Sequence, residues 1–575
     1  MSSNTRSSQH TQHAFLVAWG WFAEETGLVQ KLQAIRLKQK TYDHTPQSKV
    51  LEFLVGTLSG VRHLQEISKA AHPLDRDQAV AEAWGQPGWA DYTGVSRTLS
   101  ALSGEDVRAI VGVLEEISRP YLQAELQRLR SQGQRLRLDG DLTGLPVSNS
   151  SRTYPNVAYG HADDEIRLGY QAGVVSLVSP TFGRLWLSVA HHPGDTVSCT
   201  QAEALVLEAE RRTGQHPQRR TALLRTRLTD FESRLAQEQG RLDKQQQAVE
   251  RVQARLSALQ QLAQERQAQL ETLEKDYQAH QRSERPTGKL AQARKRSQAA
   301  ERRVRNGESA RQAAERRLAR ARALGQEQQA AKSHLQERLQ RFEQDNEANR
   351  EPVEAEFRLD AGFGTYENVA LLIEMGYEVY TKPRSHRVTA YLQRQVDEHT
   401  VYTRVGANAE MVAWADRTLA RCPYPLDMAL ERFYTGPICK HSALWHYGSD
   451  PVTQDVRAWF AHYNGRQTIE AGIKESKQVF YLHKIKVRSE PAIFLQENCV
   501  LFAANFIRWA SHWLAEQAQP VRNTLDVRQM GVKCQVHVAA HVSAQVIRST
   551  EGRLLRFSQH SIFAGKVLHL PSGHL

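Results

Sequence analysis

The residues best suited to do chemistry in this sequence are a small set of carboxylates and cations. The segment Tyr463-Asn-Gly-Arg466-Gln-Thr-Ile-Glu470-Ala-Gly-Ile-Lys-Glu-Ser-Lys477 reads as helix. At about 100° per residue, Tyr463, Arg466, Glu470 and Lys477 fall within about 60° of one face. One aromatic, one carboxylate and two cations make a poor core stripe; a solvated stripe carrying an i, i+4 Arg–Glu pair is the plain alternative. Two aspartates end strand-like runs: Asp141 in Leu138-Asp-Gly-Asp-Leu-Thr143, and Asp360 in Arg358-Leu-Asp-Ala-Gly-Phe-Gly364. Taken singly, each reads as a turn residue. Asp139 rivals Asp141, because strand alternation puts both on one sheet face. Three carboxylates converging on a strand–strand–helix junction can hold two Mg2+ ions, which prefer hard oxygen ligands. Such a pair supports in-line phosphoryl displacement by a water or a 3′-hydroxyl.

The elements that must position these groups follow from periodicity. Strands are expected over 135–143, 173–178 and 185–190, a helix over 200–212, and a strand over 355–360. A helix over 366–375 and a strand over 377–382 come next, with a helix later. With residues 216–350 set aside, that order predicts an α/β protein with a ribonuclease-H-like mixed-sheet core, its halves at 131–215 and 351–515. Residues 14–130 show helical spacing throughout and are expected to form a DNA-binding helical domain, with Tyr92–Ser100 as a candidate reading helix. Residues 1–13 are expected to be a disordered tail, and 516–575 a small C-terminal element containing strands.

Residues 216–350 differ in texture. Leu228, Phe231, Leu235, Leu242, Val249, Val252, Leu256, Leu259, Ala263, Leu270, Leu273 and Tyr277 keep one alternating 3–4 spacing, the seam of a coiled coil. Breakers cluster at Ser283-Glu-Arg-Pro-Thr-Gly288, and a second arm follows with Val304, Leu318, Leu335, Leu339 and Phe342. A long antiparallel coiled-coil hairpin, inserted into the core, is expected. The block holds 29 Lys+Arg and 18 Asp+Glu, so nearly all of the chain's net +12 lies in it. Within it, 282–322 carries 14 basic and 4 acidic residues. Arg294, Lys295, Arg296, Arg302, Arg303, Arg316 and Arg317 are therefore candidate phosphate contacts, although a solvated Arg-rich face gives the same pattern.

The Tyr-x2-Arg-x3-Glu-x6-Lys spacing resembles, without a gap, the signature of the YREK-bearing DDE transposases of the insertion-sequence-four group. The Asp-Leu-Thr and Arg-Leu-Asp-Ala-Gly-Phe contexts look like its two aspartate motifs. The apolar helix after the signature and Val-Arg-Gln-Met-Gly-Val-Lys533 look like its insertion-sequence-1380-like branch. The resemblance covers roughly 90–575 outside the hairpin. It implies Asp141, Asp360 and Glu470 as ligands of two Mg2+ ions, with Mn2+ able to substitute. It further implies Tyr463, Arg466 and Lys477 as grips on the phosphates beside the scissile bond. Duplex DNA at the ends of the protein's own element would be the substrate, and a homodimer the synaptic form. In that group a β-rich insertion usually separates the second Asp from the Glu; here the large insertion lies between the two Asps.

Composition sets the outer bounds. With 40% apolar and 24% charged residues, a wholly disordered or collagen-like chain is excluded. Cys199, Cys422, Cys439, Cys499 and Cys534 form no CxxC pair, so neither zinc ribbon nor disulfide framework is indicated. His191-His192 and His161-Ala-Asp-Asp164 offer metal-binding side chains without zinc spacing. The polar start has no apolar signal core, and the apolar stretch 491–514 contains Glu497, Asn498 and Arg508. A cytoplasmic, nucleoid-associated protein with a buried helix there, and no membrane span, is expected.

Overall fold

Helices α1 (Ala14–Glu25), α2 (Leu28–Gln33), α3 (Pro46–Leu58), α4 (Glu66–Lys69), α5 (Gln78–Ala83), α6 (Tyr92–Ser100) and α7 (Gly104–Ser131) take up the N-terminal region. Their starts are locally encoded. Thr45 caps α3 ahead of Pro46, Asp91 caps α6, and Ser103 with Asp106 forms a capping box on α7. The computed structural model describes residues 7–41, 43–148, 153–162, 165–518, 523–550 and 552–571. It is a mixed α/β chain of two units, one discontinuous (Met1–Gln218 with Glu351–Leu575) and one continuous (Arg219–Arg350).

In the first unit a short strand, β1 (Ser7–Thr11), precedes the helices. The main sheet contains β2 (Leu136–Pro146), β3 (Ala158–Ala162), β4 (Glu165–Ser179), β5 (Gly183–Pro193), β6 (Ala355–Arg358) and β7 (Glu378–Thr381). It continues through β8 (Thr403–Arg404), β9 (Ala409–Arg417), β10 (Leu426–Thr435) and β11 (Ile438–Tyr447). The order is β3-β4-β2-β6-β7-β11-β10-β9-β8, with β5 on β4. Strands β5, β4 and β2 run antiparallel, β2, β6 and β7 run parallel, and β11 returns antiparallel on β7.

Helix α8 (Ala202–Thr213) lays Leu205, Val206 and Ala209 into the core. After the second unit's helices, α9 (Thr221–Ala279) and α10 (Lys289–Ala348), come α11 (Tyr366–Glu374), α12 (His386–Gln393), α13 (Val456–Asn464) and α14 (Gln467–Gln478). The long α15 (Glu490–Gln517) is buried along most of its length. The Asn505 amide on α15 donates to Trp186 O and accepts from Trp186 N, at 2.8 and 2.9 Å, fastening the helix to β5. Its Phe506 and Trp509 meet Phe22 and Tyr121, ring centroids 5.0 and 4.8 Å apart. The N-terminal helices therefore share one core with the sheet. Among the described residues, no helix is long and apolar enough to cross a membrane.

Two expectations give way here. Residues 7–11 are not a disordered tail: β1 pairs antiparallel with β12 (Ala544–Ser549), Ser7 opposite Arg548 and Thr11 opposite Ala544. With β13 (Gly552–Phe557) and β14 (Val567–Pro571) they make a four-stranded sheet that ties the chain's two ends together. Residues 1–6 of that expected tail lie outside the described residues, as do Asp163 and Asp164. In addition, a β-rich segment, β8–β11, does separate Asp360 from Glu470, alongside the long insert that separates the aspartates.

In the second unit, α9 and α10 run antiparallel. Arg225 meets Glu343, Glu232 meets Lys332, and Glu274 meets Arg294, at 2.5, 2.9 and 3.0 Å, so rising numbers on one arm face falling numbers on the other. Leu256, Leu270, Leu290, Ala300, Leu318, Leu335 and Phe342 form the buried seam between them. The arms have 59 and 60 residues, each roughly 90 Å long at ~1.5 Å per residue.

Candidate carboxylate site at the end of the parallel strands

Strands β2 and β6 pair in parallel register, with Asp139 opposite Arg358. Two residues further on, past the last β2–β6 pair, come Asp360, just after β6, and Asp141, which does not end its strand as expected but lies inside β2 opposite Val174 of β4. This is the carboxyl edge of the parallel strands, where open α/β sheets form their crevice.

Register also separates the two candidates for the first carboxylate. Asp139 is fully buried; its Oδ1 and Oδ2 accept from Arg358 Nε and Nη2 at 2.7 and 2.9 Å, and Oδ2 also accepts from Arg184 Nη2 at 2.9 Å. Arg358 Nη1 donates to His462 O at 2.7 Å, and Arg184 also donates to Thr468 Oγ1. One buried carboxylate with two guanidiniums thus locks β2, β5 and β6 to the turn between α13 and α14. Both of its oxygens are engaged by guanidiniums, and it is structural. Asp141 has no such partner set.

The expected single helix 463–477 is broken at Gly465–Arg466, a correction to the one-face reading. Arg466 N bonds Tyr463 O and Ile469 N bonds Arg466 O, i+3 contacts that tighten the turn between α13 and α14. A Cβ at 465 would stand 2.9 Å from Arg358 Nη1, which explains glycine there. The break turns Arg466 inward, 8% exposed. Its Nη2 donates to Glu470 Oε1 at 2.8 Å, and its Nη1 to Asp141 Oδ2 at 3.4 Å. Burial opposes the charge on Arg466, yet Tyr463, Asp141, Asp360 and Glu470 around it raise its pKa above the ordinary value.

Burial pushes the Asp141 carboxyl up to about 7; Arg466 opposes this, while Asp360 and Glu470 add to it. Asp360 is likewise raised, chiefly by burial, against Arg466 and the Phe363 and Gly362 amides. Its Oδ1 is buried with no hydrogen-bond partner. Glu470 is half-exposed at the open side of the group. The donor set therefore fits hard divalent cations: three carboxylates, one with an orphaned buried oxygen, carrying more negative charge than Arg466 balances. The three do not close on a point, because the one triple of such ligand atoms within 4.8 Å among the described residues is Glu378, His446 and Asp450. The carboxylates of that triple are bonded by protein, while His446 Nε2 is buried without a hydrogen-bond partner. Arg135 Nη1 bonds Glu378 and Asp450 at 2.7 and 2.9 Å, Ser449 and Tyr380 donate to their remaining oxygens, and His446 Nδ1 faces Asp427.

The other expected residues distribute differently. Tyr463 is buried and its hydroxyl donates to Leu359 O at 3.2 Å, so it supports the Asp360 strand from beneath and does not face solvent. Lys477 lies two turns beyond Glu470 on α14, about 10 Å along the axis. A cation the sequence reading missed is Lys382, directly after β7. Its Nζ sits 5.6 Å over the Tyr463 ring and 3.4 Å from Glu431. Gly364 allows the Asp360 loop to lie against it: a Cβ there would fall 1.8 Å from Lys382 O. Its signal was a lysine closing a core parallel strand. His191 is not a metal ligand here; its Nδ1 pairs with Glu497 of α15 at 2.8 Å.

Arg294, Lys295, Arg296, Arg302, Arg303, Arg316 and Arg317 all lie on α10 of the second unit. No protein-family model matches the chain, and no curated protein matches it in sequence.

Proposed function

We propose that the chain is a DNA transposase of the YREK-bearing DDE kind, cleaving the ends of its own element and joining them to target DNA. The observation that carries this reading is the meeting of Asp141, Asp360 and Glu470 around Arg466 at the carboxyl edge of β2 and β6. The strand order β5-β4-β2-β6-β7, antiparallel then parallel, supports a ribonuclease-H-like core. The 3–4 burial spacing on α9 and α10 supports a coiled-coil insert.

In this reading Asp141, Asp360 and Glu470 hold two Mg2+ ions, or Mn2+ in their place, which supply Lewis acidity to phosphoryl transfer. Arg466, held between Glu470 and Asp141, offsets their charge, and its guanidinium would suit a phosphate placed beside them. Lys382, directly after β7, would bind the backbone on one side of the scissile bond, with Lys477 of α14 as a further phosphate contact. The Asp139–Arg184–Arg358 network keeps the α13–α14 turn, and hence Glu470, aligned with the strands. The substrate is duplex DNA, the working form a homodimer bridging two ends, and the setting the cytoplasmic nucleoid.

The test uses purified full-length protein and duplexes carrying the DNA that flanks the gene on either side, searched for inverted repeats. Mg2+-dependent cutting at the repeat, followed by joining of pre-cut ends to a target plasmid, is the expected result. Cutting without joining would reduce the protein to a nuclease, and neither reaction would remove the reading.

A further inference from the structure

The cations of α10 are of two kinds. Arg294 is engaged by Glu274 and Glu284, Arg311 by Glu315, and Arg282, just before the helix, by Asp276. Lys295, Arg296, Arg302, Arg303, Arg316 and Arg317 are exposed and, among the described residues, make no ion pair. Their numbering has a pattern. Residues 295, 302 and 316 differ by multiples of seven, as do 296, 303 and 317; positions 309 and 310, which complete the columns, are Ser and Ala.

On a helix whose buried seam keeps a 3–4 spacing, a seven-residue step returns to the same face. The buried positions Ser297, Ala300 and Leu318 lie on the opposite side from the column at 295, 302 and 316. The acids in this stretch, Glu301, Glu308 and Glu315, repeat on a third seven-residue column of their own. Both columns are all cation or small residue and stand about 100° apart: the first points away from the partner arm, and the second runs beside it, Arg296 lining a groove with Arg266 and Leu273 of α9. Arg305 and Arg320, likewise exposed and without an ion pair among the described residues, lie beside these columns and add to the positive surface.

From Lys295 to Arg317 the face runs roughly 33 Å at ~1.5 Å per residue. That is close to one turn of duplex DNA, which repeats in about 34–36 Å. We propose that this double column is a non-sequence-specific docking face for duplex DNA, holding flanking or target DNA by its phosphates. The proposal rests on the transposase reading for its biological sense, but its physical content is independent of any cleavage. Exposed Arg and Lys with no acid to satisfy release counterions on meeting phosphates, whereas Arg294 and Arg311 would first have to break existing pairs.

The experiment replaces all six residues by Gln in the full-length protein and measures binding to a random-sequence 40-base-pair duplex across a salt series in EDTA. A control chain carries Arg282→Gln, Arg294→Gln and Arg311→Gln. Each phosphate contact contributes about 0.9 to the slope of log affinity against log salt. The sixfold variant is expected to lose about 4–5 from that slope, and the control less than about 1, with unchanged helix content in both. An unchanged slope in the sixfold variant overturns the proposal. So does an unchanged slope accompanied by loss of self-association in light scattering, which would make the face a protein interface. Because EDTA and arbitrary sequence remove cleavage from the readout, a failed transposition assay leaves this result standing, and the reverse.

Discussion

Arg466 stands one helical turn from Glu470 with Nη2 2.8 Å from its Oε1, and turns Nη1 to within 3.4 Å of Asp141 on a different element. A buried guanidinium between carboxylates competes with any cation that would bind them. Arg466→Ala should therefore tighten Mn2+ binding several-fold in calorimetry while lowering DNA cutting by two orders of magnitude or more. Weakened binding, to the degree given by Glu470→Ala, would show that Arg466 organises the site and does not counterbalance it.

The raised carboxyl of Asp141 gives stability a definite pH dependence. Its proton is held in the folded state to about pH 7 but released from the unfolded chain near 3.8. The stability this contributes is complete below about pH 4 and is lost as pH rises through 7. Asp141→Asn removes the loss, so in EDTA the variant should melt a few degrees above the parent at pH 8 and equally with it near pH 4. Melting below the parent at pH 8 would contradict the burial argument.

Asp139 should behave oppositely, although it lies two residues away on the same face. Removing its charge leaves Arg184 and Arg358 buried without their counterion, a cost of roughly 3–5 kcal/mol for a broken buried pair. Asp139→Ala should lower the thermal midpoint and reduce near-ultraviolet dichroism, while Asp141→Asn leaves the dichroism native and does not lower the midpoint. A folded, stable but inactive Asp139→Ala chain would make Asp139 the site residue.

The turn between α13 and α14 has its own test. Gly465→Ala places a methyl 2.9 Å from Arg358 Nη1, displacing either the guanidinium or Glu470's helix. The expected outcome is a stability loss of about 1–3 kcal/mol, read by urea titration, together with reduced cutting. Unchanged stability would show that the turn is not held by this contact.

Much of this arrangement is visible in the sequence because local patterns encode it. The alternating run before Thr143, the β-branched run of β4 and the 3–4 spacing of both hairpin arms each reappear as an element of the expected type. What the sequence hides depends on long-range packing. The Gly465 break looks like an ordinary helical residue until Arg358, more than 100 positions earlier, is found against it. Asp139 and Asp141 are equivalent by alternation and differ only through Arg184 and Arg358 arriving from other strands. Strands β9–β11 carry polar residues such as Arg432, Lys440 and His441, which blunt the alternation signal. The pairing of Ser7–Thr11 is invisible because a polar edge segment gains its strand from a partner over 500 residues away.

The proposed function stands on Asp141, Asp360 and Glu470 sharing one divalent-ion site. Anomalous scattering from crystals soaked in Mn2+ tests it most directly. Two peaks about 4 Å apart bounded by those three carboxylates are expected, with Arg466 turned away from at least one of them. Peaks at Glu378, His446 and Asp450, with none beside Asp141 and Asp360, would contradict it.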